Sequence, residues 1–377
     1  MITIEDVAKR QDALLASLET IVRLESPSTD KAAIDKLVQH LRSECEKLGA
    51  SIESRDQSEW GDLTIASWSG NGSKSGQILV MTHIDTVWPV GTIERLPWSI
   101  DGDIARGPGI FDMKASVAMM LEAMRAIQEQ NMEHRPIKWL INTEEEMGSP
   151  ASRPVIEELA KESDLVLCLE PPVPPHGALK TARKGVGMFT VKVTGKASHA
   201  GADPKAGVSA IQELANQIQY LHSLTDHDLG TTVNVGVISG GTRRNVVAAE
   251  ADALVDLRAV TMDEAERTVE AIRGCRASVP GASVTVEGDL NRPPMERTEA
   301  IAAAFQQAHA IGQKLGLDLQ EASTGGASDG NFTAAVGATT IDGLGCTGNG
   351  GHADSEHIKV SGLVERTALL TGLLSEL

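Results

Sequence analysis

The chain has 377 residues, 41% of them hydrophobic, enough for two or three domains of about 150 residues with proper cores. Its 34 Lys and Arg stand against 52 Asp and Glu, and the formal net charge of −18 offers no basic footprint for a phosphate backbone, which sets nucleic acid aside as a partner. No apolar run approaches the ~20 residues of a membrane-spanning helix, and Met1-Ile2-Thr3-Ile4-Glu5-Asp6 lacks the basic and apolar regions of a signal peptide, so the expectation is a cytoplasmic protein with no membrane partner.

From the start of the chain, Ile4, Val7, Leu14, Leu15, Leu18, Ile21 and Val22 recur at helical spacing and predict a helix that stops near Ser26-Pro27-Ser28. A second helix is expected over residues 31 to 48. Short apolar runs then alternate with amphipathic stretches: Ile78 to Met81, a helix from about Ala115 to Glu129, Ile137 to Ile141, and Leu165 to Leu169. That alternation predicts an α/β layer with a mainly parallel sheet covered by helices. Near Gly187 the period becomes two, in Met188 to Val193, Thr231 to Ile238, Ala253 to Leu257 and Ser283 to Val286, with helices near 207 to 222 and 263 to 276. These read as half-buried antiparallel strands with the helices on one face, an α+β domain inserted into the larger one. After Arg292-Pro293-Pro294 the first pattern returns, with a helix near 298 to 315, a run from Ala338 to Ile341 and a closing helix near 360 to 376. The expected boundaries are a catalytic domain over 1–183 and 293–377, and an insert over 184–292. Cys45, Cys168, Cys275 and Cys346 lack CxxC spacing, fit neither a thiolate zinc site nor a disulfide framework, and read as reduced and mostly buried.

Polar clusters fall where apolar runs end, the place at which open α/β sheets form ligand crevices. In Met81-Thr82-His83-Ile84-Asp85 a histidine able to ligate a metal is followed by a carboxylate able to accept its other ring proton. Gly107-Pro108-Gly109-Ile110-Phe111-Asp112-Met113-Lys114 sets Asp112 just before a helix. Glu144, Glu145 and Glu146 follow the run ending at Ile141; on extended backbone their side chains alternate, so that one could bind metal while its neighbour faces water. Glu170 precedes two prolines, and His352 lies in Gly350-Gly351-His352-Ala353-Asp354-Ser355-Glu356. Each cluster also has a structural alternative: a hydrogen-bonded strand-end histidine, a solvated acidic helix start, an N-cap at Asp112. Together they form a mixed N/O donor set suited to Zn²⁺, with Co²⁺ or Mn²⁺ as substitutes, and a shared carboxylate could bridge two ions.

With H-x-D, G-x-x-D-M-K, T-E-E-E-x-G-S, L-E-P, S-H-A-G and G-H-x-D-x-E in this order, nearly the whole chain resembles the dinuclear zinc amidohydrolases. That family includes aminoacylase, acetylornithine deacetylase, succinyl-diaminopimelate desuccinylase and the folate-hydrolysing glutamate carboxypeptidases. The last branch is the most similar, through Met81 to Trp88, Gly107 to Lys114, Lys196 to Gly201 and the Gly325-Gly326 loop, although Ala327 stands where that loop usually has glycine. Met113 and Ala115-Ser116 also depart from that branch. The resemblance implies that Asp112 bridges two Zn²⁺ ions per subunit, with His83 and Glu170 on one and Glu146 and His352 on the other, Asp85 behind His83, and Glu145 as general base. It further implies a cis Asp112–Met113 bond, an oxyanion donor in His199, supplied in dimeric relatives by the partner subunit, and a homodimer built through the inserted lid domain. Asn245, Arg258, Arg292 and the loop at Gly326 match positions near the substrate carboxylates, for which Arg is suited by its planar fork; a structural salt bridge is the alternative for Arg258. The expected activity is hydrolysis of an amide bond in a small-molecule amino acid conjugate or short peptide with a free carboxylate, in particular release of glutamate. The alternatives are an N-acyl amino acid deacylase acting on acetylornithine or acetyllysine, and a non-catalytic dimeric binding homologue.

Overall fold

A computed structural model describes residues 2–377, which form two compact units. The larger runs through Ala182 and resumes over Arg297–Thr324 and Ser328–Leu377; the smaller comprises Arg183–Glu296 with Gly325–Ala327.

Among the described residues, the larger unit is an α/β layer on a six-stranded sheet with the strand order Ser51–Arg55, Leu63–Trp68, Ile137–Asn142, Ile78–His83, Leu165–Cys168, Thr340–Ile341. The last four run parallel, and the first two are antiparallel additions at one edge. Ile78–His83 is buried along its whole length, and its alternating side chains feed two cores. Ile78 and Val80 join the cluster of Leu14, Leu18, Met120, Met124, Leu363 and Leu370, whereas Leu79 and Met81 join Ile65, Leu140, Ile156, Leu159 and Phe332. A near-continuous apolar run is what a parallel strand covered on both faces requires. The register sets His83 beside Asn142 at the carboxyl ends of neighbouring strands, so the polar residues that follow each run gather at one rim. A separate four-stranded antiparallel sheet contains Gly348–Asn349 and His357–Lys359, the hairpin that carries His352.

The helices expected after residue 30 are present, at Lys31–Lys47, Ala115–Glu129, Glu299–Lys314 and Val360–Glu376. The N-terminal one differs: two helices, Ile4–Ala8 and Gln11–Arg23, replace a single run. Arg10 leaves helical geometry at φ −109 and ψ 4, and its guanidinium reaches Glu122 and, at 2.5 Å, Glu129 on the Ala115–Glu129 helix. Glu122 is almost wholly buried and accepts from both Arg10 and, at 2.6 Å, Arg125, so the break at Arg10 brings a second guanidinium to a buried carboxylate.

The smaller unit is a four-stranded antiparallel sheet ordered Thr232–Gly240, Glu250–Ala259, Gly185–Thr194, Ser283–Arg292. Phe189, Val191 and Val193 point to one face, where Leu214 and Leu221 of helix Ala210–Ser223 and Val269 and Ile272 of helix Met262–Arg273 complete the core. Met188, Thr190 and Lys192 alternate onto the other face, the period-two pattern of a sheet covered on one side. Four cysteines are free and buried.

Candidate metal centre

At the carboxyl rim of the larger unit's sheet, His83, Asp112, Glu146, Glu170 and His352 converge from five separate segments. Ligand atoms of His83, Asp112 and Glu170 lie within 4.8 Å of one another, and so do those of Asp112, Glu146 and His352. Asp112 belongs to both groups, one carboxylate oxygen to each side. Oδ1 is 3.1 Å from His83 Nε2, and Oδ2 is 3.6 Å from His352 Nε2. Glu170 Oε1 stands 3.6 Å from His83 Nε2, and Glu146 Oε1 is 3.0 Å from His352 Nε2.

Each donor is aimed by its local structure. His83 ends its strand, and its Nδ1 faces the Asp85 main-chain oxygen at 3.0 Å and Asp85 Oδ1 at 3.4 Å, leaving Nε2 for the rim. Asp112 sits in the turn Ile110–Lys114, outside helical geometry at φ −118 and ψ 93, and the Asp112–Met113 peptide bond is cis, as the sequence resemblance implied. His352 adopts φ +63 after Gly350 at φ +81, an uncommon backbone for a residue with a side chain, at a cost on the order of 1 kcal/mol.

The acidic triplet differs from its sequence-based picture. Glu145–Met147 is a tight 3₁₀ turn, not an extended segment, so the separation of the carboxylates comes from the turn. Glu144 turns inward and takes the main-chain N–H groups of Ala151, at 2.8 Å, and Ser152. Burial pushes its carboxyl above the usual range. Asp85, wholly buried, clamps the turn: Oδ1 accepts from Glu145 N at 3.1 Å, and Oδ2 accepts from Glu146 N at 3.2 Å and from the Ser28 hydroxyl at 2.7 Å. One carboxylate thereby couples the His83 segment to the segment that carries Glu145 and Glu146.

The field of these carboxylates is strong. Burial opposes charge on His83, yet the hydrogen bonds to Asp112 and Asp85 hold its imidazole well above the ordinary range. The bond to Glu146 lifts His352 to about 9. Asp112 is lowered despite burial, chiefly by His83. Two residues on, Lys114 is 1% exposed and donates to the Leu24 carbonyl, and burial brings its amine down to about 7.

The donor set fits two divalent cations. Tetrahedral ligands at about 2.0–2.1 Å from one ion lie roughly 3.3 Å apart, and the nitrogen–oxygen separations here run from 3.0 to 3.6 Å. Sequence reasoning overlooked Ser28, and it left Glu356 inside a motif without a role. Glu356 is buried and accepts hydrogen bonds from the loop that carries Asp112.

The remaining sequence-derived residues lie in the smaller unit. His199 is exposed, and its Nδ1 accepts from the N–H groups of Gly201 at 3.1 Å and Ala202 at 3.0 Å, so the neutral ring carries its proton on an outward Nε2. Asn245 is beside it, its main-chain oxygen accepting from Ala200 N at 3.0 Å. Arg258 and Arg292 pair with Val186 from either side on the sheet face away from the helices. Arg258 forms the salt bridge anticipated as its alternative: Nε and Nη2 each reach an Asp256 carboxylate oxygen at 2.9 Å. Arg292 is buried, and the Gly326 oxygen accepts from Arg183 Nη1 at 3.0 Å.

The sequence model of peptidase family M20/M25/M40 matches residues 79–376. Carboxypeptidase G2 of Pseudomonas sp. (strain RS-16) is 31% identical over 376 residues, covering 97% of this chain and 90% of that protein. The aminopeptidase PepT of Bacillus cereus ATCC 10987 superposes with a TM-score of 0.83 at 23% identity, over 97% of this chain and 98% of that one. A dinuclear metal-binding peptidase of the M20 family from Bacillus subtilis superposes with a TM-score of 0.71 at 15% identity, over 98% of each chain.

Proposed function

The chain belongs to peptidase family M20/M25/M40, a family of metal-dependent hydrolases of peptide bonds, and from that premise we propose that it is a zinc carboxypeptidase releasing an amino acid with a free carboxylate, glutamate foremost. One observation carries the reading: the two oxygens of Asp112 divide between a His83–Glu170 pair and a Glu146–His352 pair. The carboxypeptidase part is supported by the similarity to carboxypeptidase G2, and the glutamate preference by the resemblance of Met81 to Trp88, Gly107 to Lys114 and Lys196 to Gly201 to the glutamate carboxypeptidase branch.

His83, Asp112 and Glu170 would hold one ion, and Asp112, Glu146 and His352 the other, with Zn²⁺ as the native metal and Co²⁺ or Mn²⁺ as substitutes. When bound, the ions supply Lewis acidity to the scissile carbonyl and make water acidic enough to react near neutral pH. Glu145, half-buried in the 3₁₀ turn beside Glu146, takes the proton of the attacking water and returns it to the departing amine. Asp85 keeps the His83 tautomer and the position of the turn fixed. His199 donates its Nε2–H to the oxyanion, and Arg292 and Asn245 recognise the carboxylate of the leaving amino acid, with the Gly326 loop beside them.

Amine release from N-acyl amino acids, peptidyl-glutamates and folyl-glutamates, measured on chelated and Zn²⁺-reloaded protein, tests the reading. Glutamate release that disappears on chelation and returns with Zn²⁺ is expected. Release confined to acetylated amino acids would replace it with the deacylase assignment, and silence with two ions bound would overturn catalysis on these substrates.

The smaller unit supplies a homodimer in this reading, with His199 serving the partner's centre. His199→Ala should lower kcat with metal content unchanged. Statistical mixing with Glu145→Gln should restore about a quarter of wild-type activity, since half the dimers are mixed and each has one complete centre. Confirmed mixed dimers without recovery would place His199 within its own chain's site.

A further inference from the structure

We propose that Glu356 is the positioning residue of the metal centre: an internal carboxylate that fills an anion-binding nest in the Asp112 loop and fixes the bridging carboxylate between its two groups of donors. The inference rests on the two-ion reading above and extends it to a residue that touches neither substrate nor metal there.

Glu356 is 3% exposed, and each oxygen of its carboxylate is taken. Oε1 accepts from Phe111 N at 2.9 Å and Asp112 N at 3.1 Å. Oε2 accepts from Gly109 N at 2.9 Å and from the Trp88 indole Nε1 at 2.8 Å. Main-chain N–H groups from neighbouring residues converging on one point form a concavity suited to an anion. Here the geometry depends on glycine: Gly109 has φ +69, and a Cβ at that position would lie 2.5 Å from Thr86 Cγ2. The anion is supplied by the protein itself, four residues beyond His352 on the same hairpin.

The consequence is mechanical. Trp88 follows the segment of His83 and Asp85, Asp112 lies in the nest, and His352 shares the hairpin of Glu356. A single side chain therefore joins the segments that bear three of the five donors. Charge-assisted hydrogen bonds of this kind are roughly twice as strong as neutral ones, and groups behind the ligands commonly change metal affinity 10–100-fold. The loop needs such a tether because Asp112 has to offer its two oxygens in opposite directions, to His83 and to His352.

Glu356→Gln turns an acceptor oxygen into an NH₂ group, which must face an N–H donor whichever way the amide lies. Glu213 provides the control. It is a wholly buried carboxylate in the smaller unit, which contributes none of the five donors, and it likewise accepts main-chain N–H groups, from Ser278 at 2.9 Å and Val279 at 2.6 Å. Full-length wild type, Glu356→Gln and Glu213→Gln are titrated with Co²⁺, recording bound metal per chain, affinity and the visible d–d spectrum, alongside Tm of the chelated proteins.

The expected result is a loss of Co²⁺ affinity of at least ~10-fold and an altered spectrum in Glu356→Gln, whereas Glu213→Gln loses Tm with affinity and spectrum unchanged. If Glu356→Gln does not fold, Glu356→Asp serves instead, because it keeps the charge while withdrawing the oxygens by about 1.5 Å, one carbon–carbon bond; it should show the same changes. Wild-type affinity and spectrum in the Glu356 variant that folds would overturn the inference alone. A wild-type chain that binds no Co²⁺ would overturn the two-ion reading and this inference with it.

Discussion

Glu145→Gln is expected to lower kcat by roughly 10²–10⁴-fold, the usual contribution of a positioned general base, while the protein retains its full complement of metal. The substitution removes a proton acceptor of nearly identical shape and leaves the turn intact, because Glu145 is held through its main-chain N–H on Asp85 Oδ1 and not through the replaced carboxylate alone. Neighbouring Glu146 should behave differently. Its carboxylate stands 3.0 Å from His352 Nε2 within the second donor group, so Glu146→Gln should shed metal together with activity. Metal analysis and steady-state kinetics on the two variants separate the roles. Equal metal loss in both would remove Glu145 from the role of base and make it a ligand.

The fold and the candidate centre were legible in the sequence only in part. Apolar runs that stop at polar residues, as at Ile78–His83 and Ile137–Asn142, announce strands whose carboxyl ends face a crevice, because burial on both faces leaves no other place for the polar groups. The period-two stretch at Met188 to Val193 was equally clear, since it buries one face on the helices, whereas in Thr232–Gly240 only Val233 and Val235 reach that core and Val237 and Ile238 are exposed. Ser51–Arg55 escaped notice because an edge strand with mostly exposed side chains carries no hydrophobic period. Leu63–Trp68 escaped because Thr64, Ala66 and Ser67 interrupt its apolar character although the strand is mostly buried. The break at Arg10 is tertiary: Val7 and Leu14 keep helical spacing across it, and only the carboxylates of Glu122 and Glu129 reveal why the chain turns. Residue types at the centre followed from local pattern. The division of donors between two groups came from family resemblance, since it depends on contacts such as His352 with Glu146, which are 206 positions apart. Glu356 was beyond local pattern for the same reason, its loop partners lying some 245 positions upstream.

Asp112→Ala is expected to have the broadest effect, abolishing binding at both groups of donors and reducing activity to the chelated baseline. Each group has three donors, and Asp112 is the one they share. Its removal leaves His83 with Glu170 on one side and His352 with Glu146 on the other, two protein donors per ion where Zn²⁺ ordinarily takes three or four. His352→Ala is the informative comparison. It strips one donor from the Glu146 side and leaves His83, Asp112 and Glu170 untouched, so one ion per chain should remain. Metal content after dialysis against buffered Zn²⁺ should thus be two ions in wild type, one in His352→Ala and none in Asp112→Ala. Retention of one tightly bound ion by Asp112→Ala would mean that the groups are independent and that the carboxylate is a ligand to one of them only. Because Asp112 would serve both groups of donors, single-ion His352→Ala should be catalytically poor even when saturated: it keeps Glu145 and the first donor group but would lose the second charge that the proposed reaction uses.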